Sequence, residues 1–249
     1  MKRLLFTAYN LDIGGIETSL INLLDNIDYN KYEVTLILEK KEGIFLNRIN
    51  KNVIVKELKV SDCRINVLRK LINYFRKLKF KIFNKNKYDF SCCYATYSYS
   101  SNVLSLIGSE NSSIYIHSDY KYIYGIDDYY NFFDSRNINS FKHIIFVSNE
   151  SRNSFLEYYK DLEYKTLVFN NFVNGDRIIK LSKEKIKEVK PDDGKLFVFV
   201  GRIDDDSKKI DRVINIAENI NDITLWIIGD GKDKEKYCDY VKEKELDKR

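Results

Sequence analysis

LFVFVGRIDDDSKKIDRVINIA, residues 196–217, is the stretch on which the fold class turns. Leu196, Phe197, Val198, Phe199 and Val200 are apolar without interruption, which reads as a strand buried on both faces of a parallel sheet. Gly201 breaks the run and an acidic loop follows. Ile210, Val213, Ile214 and Ala217 then recur at helical spacing and predict an amphipathic helix. A buried strand, a glycine turn and a helix form the ligand-binding corner of an open α/β sheet. Arg202 and Lys208 stand on that loop, a planar fork and a point charge that both suit a diphosphate. The alternative is a solvated loop on which both cations merely balance Asp204, Asp205 and Asp206. Lys209 is a second candidate for the inward lysine.

Working outward, the same alternation runs through the N-terminal part. Strands are predicted at residues 2–7, 32–38, 53–58, 89–95, 113–117, 142–147 and 165–169. Helical patterns lie between them, including a long one at 65–83 and others starting at 100 and 149. We expect an α/β domain with a parallel sheet over 1–173. A linker follows over 174–195, with the turn signal Pro191-Asp192-Asp193-Gly194. A second α/β unit occupies 196–249, with a further strand at 223–228 and a helix at 232–245. Two βα units are fewer than an independent doubly wound sheet uses, so this second domain is expected to be incomplete.

The 249 residues are 44% hydrophobic and 32% charged, enough for a core and a water-facing surface. A net charge of +5 is too mild to imply nucleic acid. Cys63, Cys92, Cys93 and Cys238 form no paired framework and are read as free thiols of a reducing cytosol. Two histidines and no Cys-x-x-Cys pair argue against a bound metal. The basic start MKRLLFTAYN is too short in its apolar part for a signal peptide, and no later run could span a bilayer. A cytoplasmic protein is expected, with peripheral attachment at the inner membrane face left open.

Four further features carry chemistry. Gly14-Gly15 closes the first strand-to-helix loop, either as a ligand-facing turn at a helix N-terminus or as a plain turn; no G-x-G-x-x-G is present. His117 ends the fifth strand, as a reacting-centre group or a satisfied structural histidine. Gly229-Asp230-Gly231 follows an apolar strand and presents backbone amides to a ligand or serves as an ordinary turn with a left-handed glycine. Between Cys63 and Tyr88 there is no acidic residue, while Arg69, Lys70, Arg76 and Lys77 with their basic neighbours accumulate on the 65–83 helix. That helix carries Leu68, Leu71, Ile72, Phe75, Leu78 and Ile82 on one side. It suits either an acceptor or membrane face or a core helix with a solvated basic side.

Taken in order, GGIE at 14–17, YIHSD at 115–119, FVSNES at 146–151, NNFVN at 170–174, VGRIDDDSKKID at 200–211 and IIGDGKDKEKY at 227–237 resemble the glycosyltransferase family 4 enzymes of the GT-B fold. The resemblance covers nearly the whole chain. It implies two Rossmann-like domains, the N-terminal one holding most of the acceptor and the C-terminal one a nucleotide-sugar donor. Gly14 and Gly15 then match the loop against the donor, Arg202 and Lys208 the cations at the departing diphosphate, Gly229 and Gly231 the second donor turn, and His117 the group beside the reacting sugar. Transfer with retention and without a metal or other cofactor is implied, to a glycan or lipid-linked acceptor of surface polysaccharide or glycolipid synthesis. The family's E-x7-E element, which contacts the donor sugar, has no counterpart before Arg249. Two alternatives stand beside this reading: a non-catalytic fragment that binds acceptor or membrane, and a sugar-nucleotide epimerase of the same architecture.

Overall fold

The computed structural model describes residues 1–59, 61, 63–189 and 194–247. Pro191, Asp192 and Asp193 of the expected linker turn lie outside them, as does Arg249. The chain divides into two compact units, Met1–Ile178 and Ile179–Arg249.

The first unit is a seven-stranded sheet, every neighbouring pair parallel. Its strands are β1 (Lys2–Ala8), β2 (Tyr32–Leu38), β3 (Val53–Glu57), β4 (Phe90–Cys93), β5 (Ser112–Ile116), β6 (His143–Phe146) and β7 (Thr166–Val168). Their order is β3-β2-β1-β4-β5-β6-β7. The helices are α1 (Gly15–Asp25), α2 (Asn66–Asn84), α3 (Tyr99–Gly108), α4 (Tyr120–Ser135) and α5 (Asn149–Leu156), with α6 (Gly175–Ser182) running across the unit boundary inside the expected linker.

Strand parity decides what each layer buries. Phe6 and Ala8 of β1 with Val34, Leu36 and Leu38 of β2 pack on Leu20, Ile21 and Leu24 of α1. The intervening Leu5 and Ile37 face the opposite layer with Leu104 of α3 and Phe80 of α2. At the other end Ile114, Ile116, Ile144 and Phe146 meet Tyr129, Phe132 and Phe133 of α4 and Phe155 of α5. Cys92 and Cys93 are buried in this sheet, and desolvation pushes the Cys92 thiol up to about 12 and Cys93 further still.

One helix departs from its expected packing. The apolar stripe of α2 is not core: Leu68, Leu71, Phe75, Leu78 and Ile82 are exposed, and Phe80 is its one buried residue. Burying one phenylalanine stabilises by about 1.5–3 kcal/mol, so α2 is held more by polar contacts than by its stripe.

The second unit is a parallel pair, β8 (Lys195–Val200) beside β9 (Ile223–Ile228), with α7 (Asp205–Lys208), α8 (Ile210–Asn219) and α9 (Lys234–Glu243). Ile210 and Ile214 of α8 and Tyr237 of α9 pack with Phe199 and Ile227 on one side of the pair. The expectation that β8 is buried on both faces is therefore corrected: Val198 and Val200 are 52% and 73% exposed. β8 has a single strand neighbour, and among the described residues helices cover only one of its faces. No helix of the described residues is long and apolar enough to cross a membrane.

Candidate functional site

Strand order reverses between β1 and β4, so the loops leaving their carboxyl ends diverge and open a crevice. Of the sequence-predicted residues of the first unit, Gly14, Gly15 and His117 follow the carboxyl ends of strands at or beside this switch, whereas the basic residues of α2 do not. Gly14 caps α1 in an extended conformation, with φ −166° and no side-chain cap, and Gly15 is the first helical residue. A Cβ on Gly15 would meet nothing within 4 Å, and one on Gly14 only the flexible Glu17 side chain. The protein's own packing therefore does not require glycine here.

His117 follows β5 and lies parallel to Tyr115, ring centroids 4.6 Å apart and planes within 10°, with Tyr94 at 4.6 Å on a tilted plane. Neither ring nitrogen has a well-formed hydrogen bond to the described residues, although both are buried. Desolvation pulls the imidazole down to about 4, with the Tyr94 backbone and the Asn171 side chain acting more weakly in the opposite sense. His117 is thus neutral at physiological pH, with both ring nitrogens enclosed by the protein.

Residues that the sequence did not mark complete this wall. Ser19 of α1 donates to Asn171 Oδ1 at 2.7 Å and shares a 2.6 Å hydrogen bond with the Tyr94 hydroxyl. Because the serine proton goes to Asn171, Tyr94 donates to Ser19, and a relay joins the ends of β4 and β7 through α1. The Tyr115 hydroxyl donates to the Phe169 carbonyl at 2.5 Å. Arg136, just past α4, donates to the Tyr97 carbonyl at 2.9 Å and fixes the loop after β4. Buried Glu39 accepts from the Ser101 amide at 3.0 Å and hydroxyl at 2.7 Å, anchoring the start of α3. These hydrogen bonds fix the strand-end loops and helix starts of the first unit.

In the second unit Arg202 is exposed on the loop after β8, and Lys208, expected on the same loop, is exposed at the last position of the short helix α7. The alternative in which they neutralise the neighbouring acids is not what is found. Asp205 pairs with Lys236 at 2.8 Å and accepts from the Tyr237 hydroxyl at 2.5 Å. Those bonds hold its carboxyl down to about 2. Lys232 lies 3.5 Å from Asp204 and forms a close pair with Asp206. Both lysines come from the βα region after β9, and Arg202 and Lys208 have no acidic partner among the described residues. Lys209 takes a left-handed conformation, φ 53°, at the junction of α7 and α8.

Gly229 and Gly231 have a different reason to be glycine. A Cβ on Gly229 would strike the Gly201 carbonyl and one on Gly231 the Ile203 carbonyl. The two βα loops lie flat on one another, joined by Gly201 N–H to Ile228 O at 3.0 Å and Ile203 N–H to Asp230 O at 2.9 Å. Neither glycine has positive φ, so the turn is not the left-handed one of the alternative reading. Of the basic residues picked out on α2, Arg69 and Lys70 face solvent. Arg76 donates to the Lys59 carbonyl, and Lys77 sits 4.4 Å over the Tyr99 ring. Among the described residues no three His, Cys, Asp or Glu side chains converge as a metal site would need.

No family model matches the chain, and no curated protein matches it. Solved structures do. Anabaena Alr3699/HepE, in complex with UDP and glucose, is 17% identical with a TM-score of 0.62 over 99% of this chain and 65% of that one. A variant of S. aureus TarM in complex with Fondaparinux, alpha-GlcNAc-glycerol and UDP is 11% identical, with a TM-score of 0.66 over 100% and 76%. WaaG, a glycosyltransferase involved in lipopolysaccharide biosynthesis, is 14% identical, with a TM-score of 0.54 over 98% and 67%. The chain spans 65% of the length of the HepE structure. The fold is the α/β fold of the GT-B glycosyltransferases, a seven-stranded Rossmann-like sheet followed by a two-stranded parallel one.

Proposed function

We propose that this chain belongs to a retaining glycosyltransferase of family 4 type that moves a sugar from a nucleoside-diphosphate donor to a glycan acceptor. Arg202 and Lys208 carry the reading: they are exposed cations at a strand-end turn whose adjacent acids are already neutralised by Lys232 and Lys236. Two cations without acidic partners on the segment between β8 and α8 suit a departing diphosphate, and a metal ion is not required for that charge. In the reaction the donor's anomeric C–O bond breaks as the acceptor hydroxyl forms a new bond on the same face. The hydroxyl proton leaves with the diphosphate. Neutral His117 hydrogen-bonds a sugar hydroxyl, Gly14 and Gly15 let the donor approach the start of α1, and the loop of Gly229 and Gly231 braces the Arg202 loop. UDP in the neighbouring HepE and TarM structures makes UDP-sugars the first donors to try. We place the acceptor in surface glycan or glycolipid synthesis, lipid-linked and met from the cytoplasmic side of a membrane.

Calorimetric titration with UDP-glucose tests this. The wild-type chain should bind, and Arg202→Ala with Lys208→Ala should weaken binding at least tenfold without lowering thermal stability. Equal binding by the double variant would remove the diphosphate assignment.

A further inference from the structure

We propose that α2 seats the protein on an anionic bilayer, its outward stripe entering the interface and its flanking cations meeting acidic headgroups. The inference deepens the lipid-linked acceptor reading and is tested without any nucleotide. Its basis is the orientation of the helix. The side of α2 that meets the protein is largely polar: Asn73 accepts from the Ser61 amide at 2.8 Å, Arg76 donates to the Lys59 carbonyl, and Lys77 lies over Tyr99. Only Phe80 reaches the core. The opposite side, Leu71, Phe75, Leu78 and Ile82 at helical spacing, faces solvent, with Phe75 57% and Ile82 68% exposed. A helix that folds against its own domain by its polar side holds its apolar side for something else.

Charge identifies the occupant. Arg64, Arg69, Lys70, Lys79, Lys81, Lys85 and Lys87 are all exposed, and no Asp or Glu occurs from Cys63 to Tyr88. A second copy docking through this face would bring like charges together, which disfavours a dimer. An apolar stripe flanked by cations, on a helix of 19 residues that is too charged to span, fits an interfacial helix lying in the plane of acidic lipids.

Cosedimentation of the full chain with phosphatidylcholine vesicles, with and without roughly one-third phosphatidylglycerol, tests the proposal. Partitioning should require the acidic lipid and weaken in high salt. Leu71→Glu with Phe75→Glu, both exposed positions, should reduce it tenfold or more. Lys70→Gln and Lys81→Gln should each reduce it about fivefold, corresponding to about 1 kcal/mol. As a second readout, Phe75→Trp should give a vesicle-dependent blue shift that Trp226, the native tryptophan, does not. No partitioning, equal partitioning to neutral vesicles, an undiminished stripe variant, or self-association abolished by Phe75→Glu would each overturn it. UDP-glucose titration of the same preparations separates the outcomes: donor binding without vesicle binding refutes only the membrane face, and the converse refutes only the transferase reading.

Discussion

After β1, the space beside Gly15 is open to 4 Å and Gly14 is bounded only by the Glu17 side chain; after β9, Gly229 and Gly231 lie against the backbone carbonyls of Gly201 and Ile203. Both loops end a parallel strand and both read the same way in sequence. In one the glycines leave room that the protein does not fill. In the other they are consumed by packing between loops. The comparison teaches that a strand-end glycine marks a ligand only when no neighbouring atom already demands it, and measurements of stability and activity should separate the two cases.

The largest effect is expected at the packed loop. Gly231→Ala drives a methyl into backbone and should destabilise the second unit by about 3 kcal/mol or more, read as a lowered midpoint in urea. An unchanged midpoint would show that the two loops can part freely. On the Arg202 loop that this turn braces, Arg202→Ala should lower turnover a hundredfold or more, about 3 kcal/mol of lost transition-state stabilisation, with an unchanged midpoint. Near-normal turnover would break the functional half of the comparison.

Beside the open loop, His117 is neutral when folded and titrates near 6.5 when unfolded. The unfolded chain therefore binds the extra proton first, so stability is complete above about pH 6.5 and falls as pH drops toward 4. The loss is of order 3 kcal/mol, and His117→Phe, which keeps the ring stack, should flatten that part of the profile. The smallest effect belongs to Gly15→Ala. Its backbone does not have positive φ, so the change should leave stability the same or raise it by up to about 1 kcal/mol. UDP-glucose affinity should nonetheless fall. Loss of stability instead would make Gly15 another packing glycine.

Much of the first unit was legible because each strand of its sheet is a short apolar run set between helical patterns. The seven strands appear where the periodicity puts them, within two residues at most ends. α4 was not legible: residues 120–135 are crowded with aromatics that show no clean helical period, and its start is marked only by Asp119 accepting from the Lys121 amide. The stripe of α2 was readable, but periodicity says that a helix has two sides, not which one meets the protein. That depended on Asn73, Arg76 and Lys77 finding partners at Ser61, Lys59 and Tyr99.

The candidate site divides in the same way. His117 and the glycine turns stand at strand ends and can be found by position. The Tyr94–Ser19–Asn171 relay could not, since it joins residues as much as 152 positions apart. Nor could the sequence assign the three aspartates after Arg202 to Lys232 and Lys236, which stand just before and within α9.

The burial of Cys92 and Cys93 has a practical consequence. At neutral pH neither thiol supplies appreciable thiolate, so maleimide and disulfide reagents should pass them by. Cys238 is exposed and Cys63 half-buried, one in each compact unit. The native chain therefore takes a pair of spectroscopic labels, one per unit, without removal of a single cysteine. An environment-sensitive dye at either position would then report on its own unit during a UDP-glucose titration.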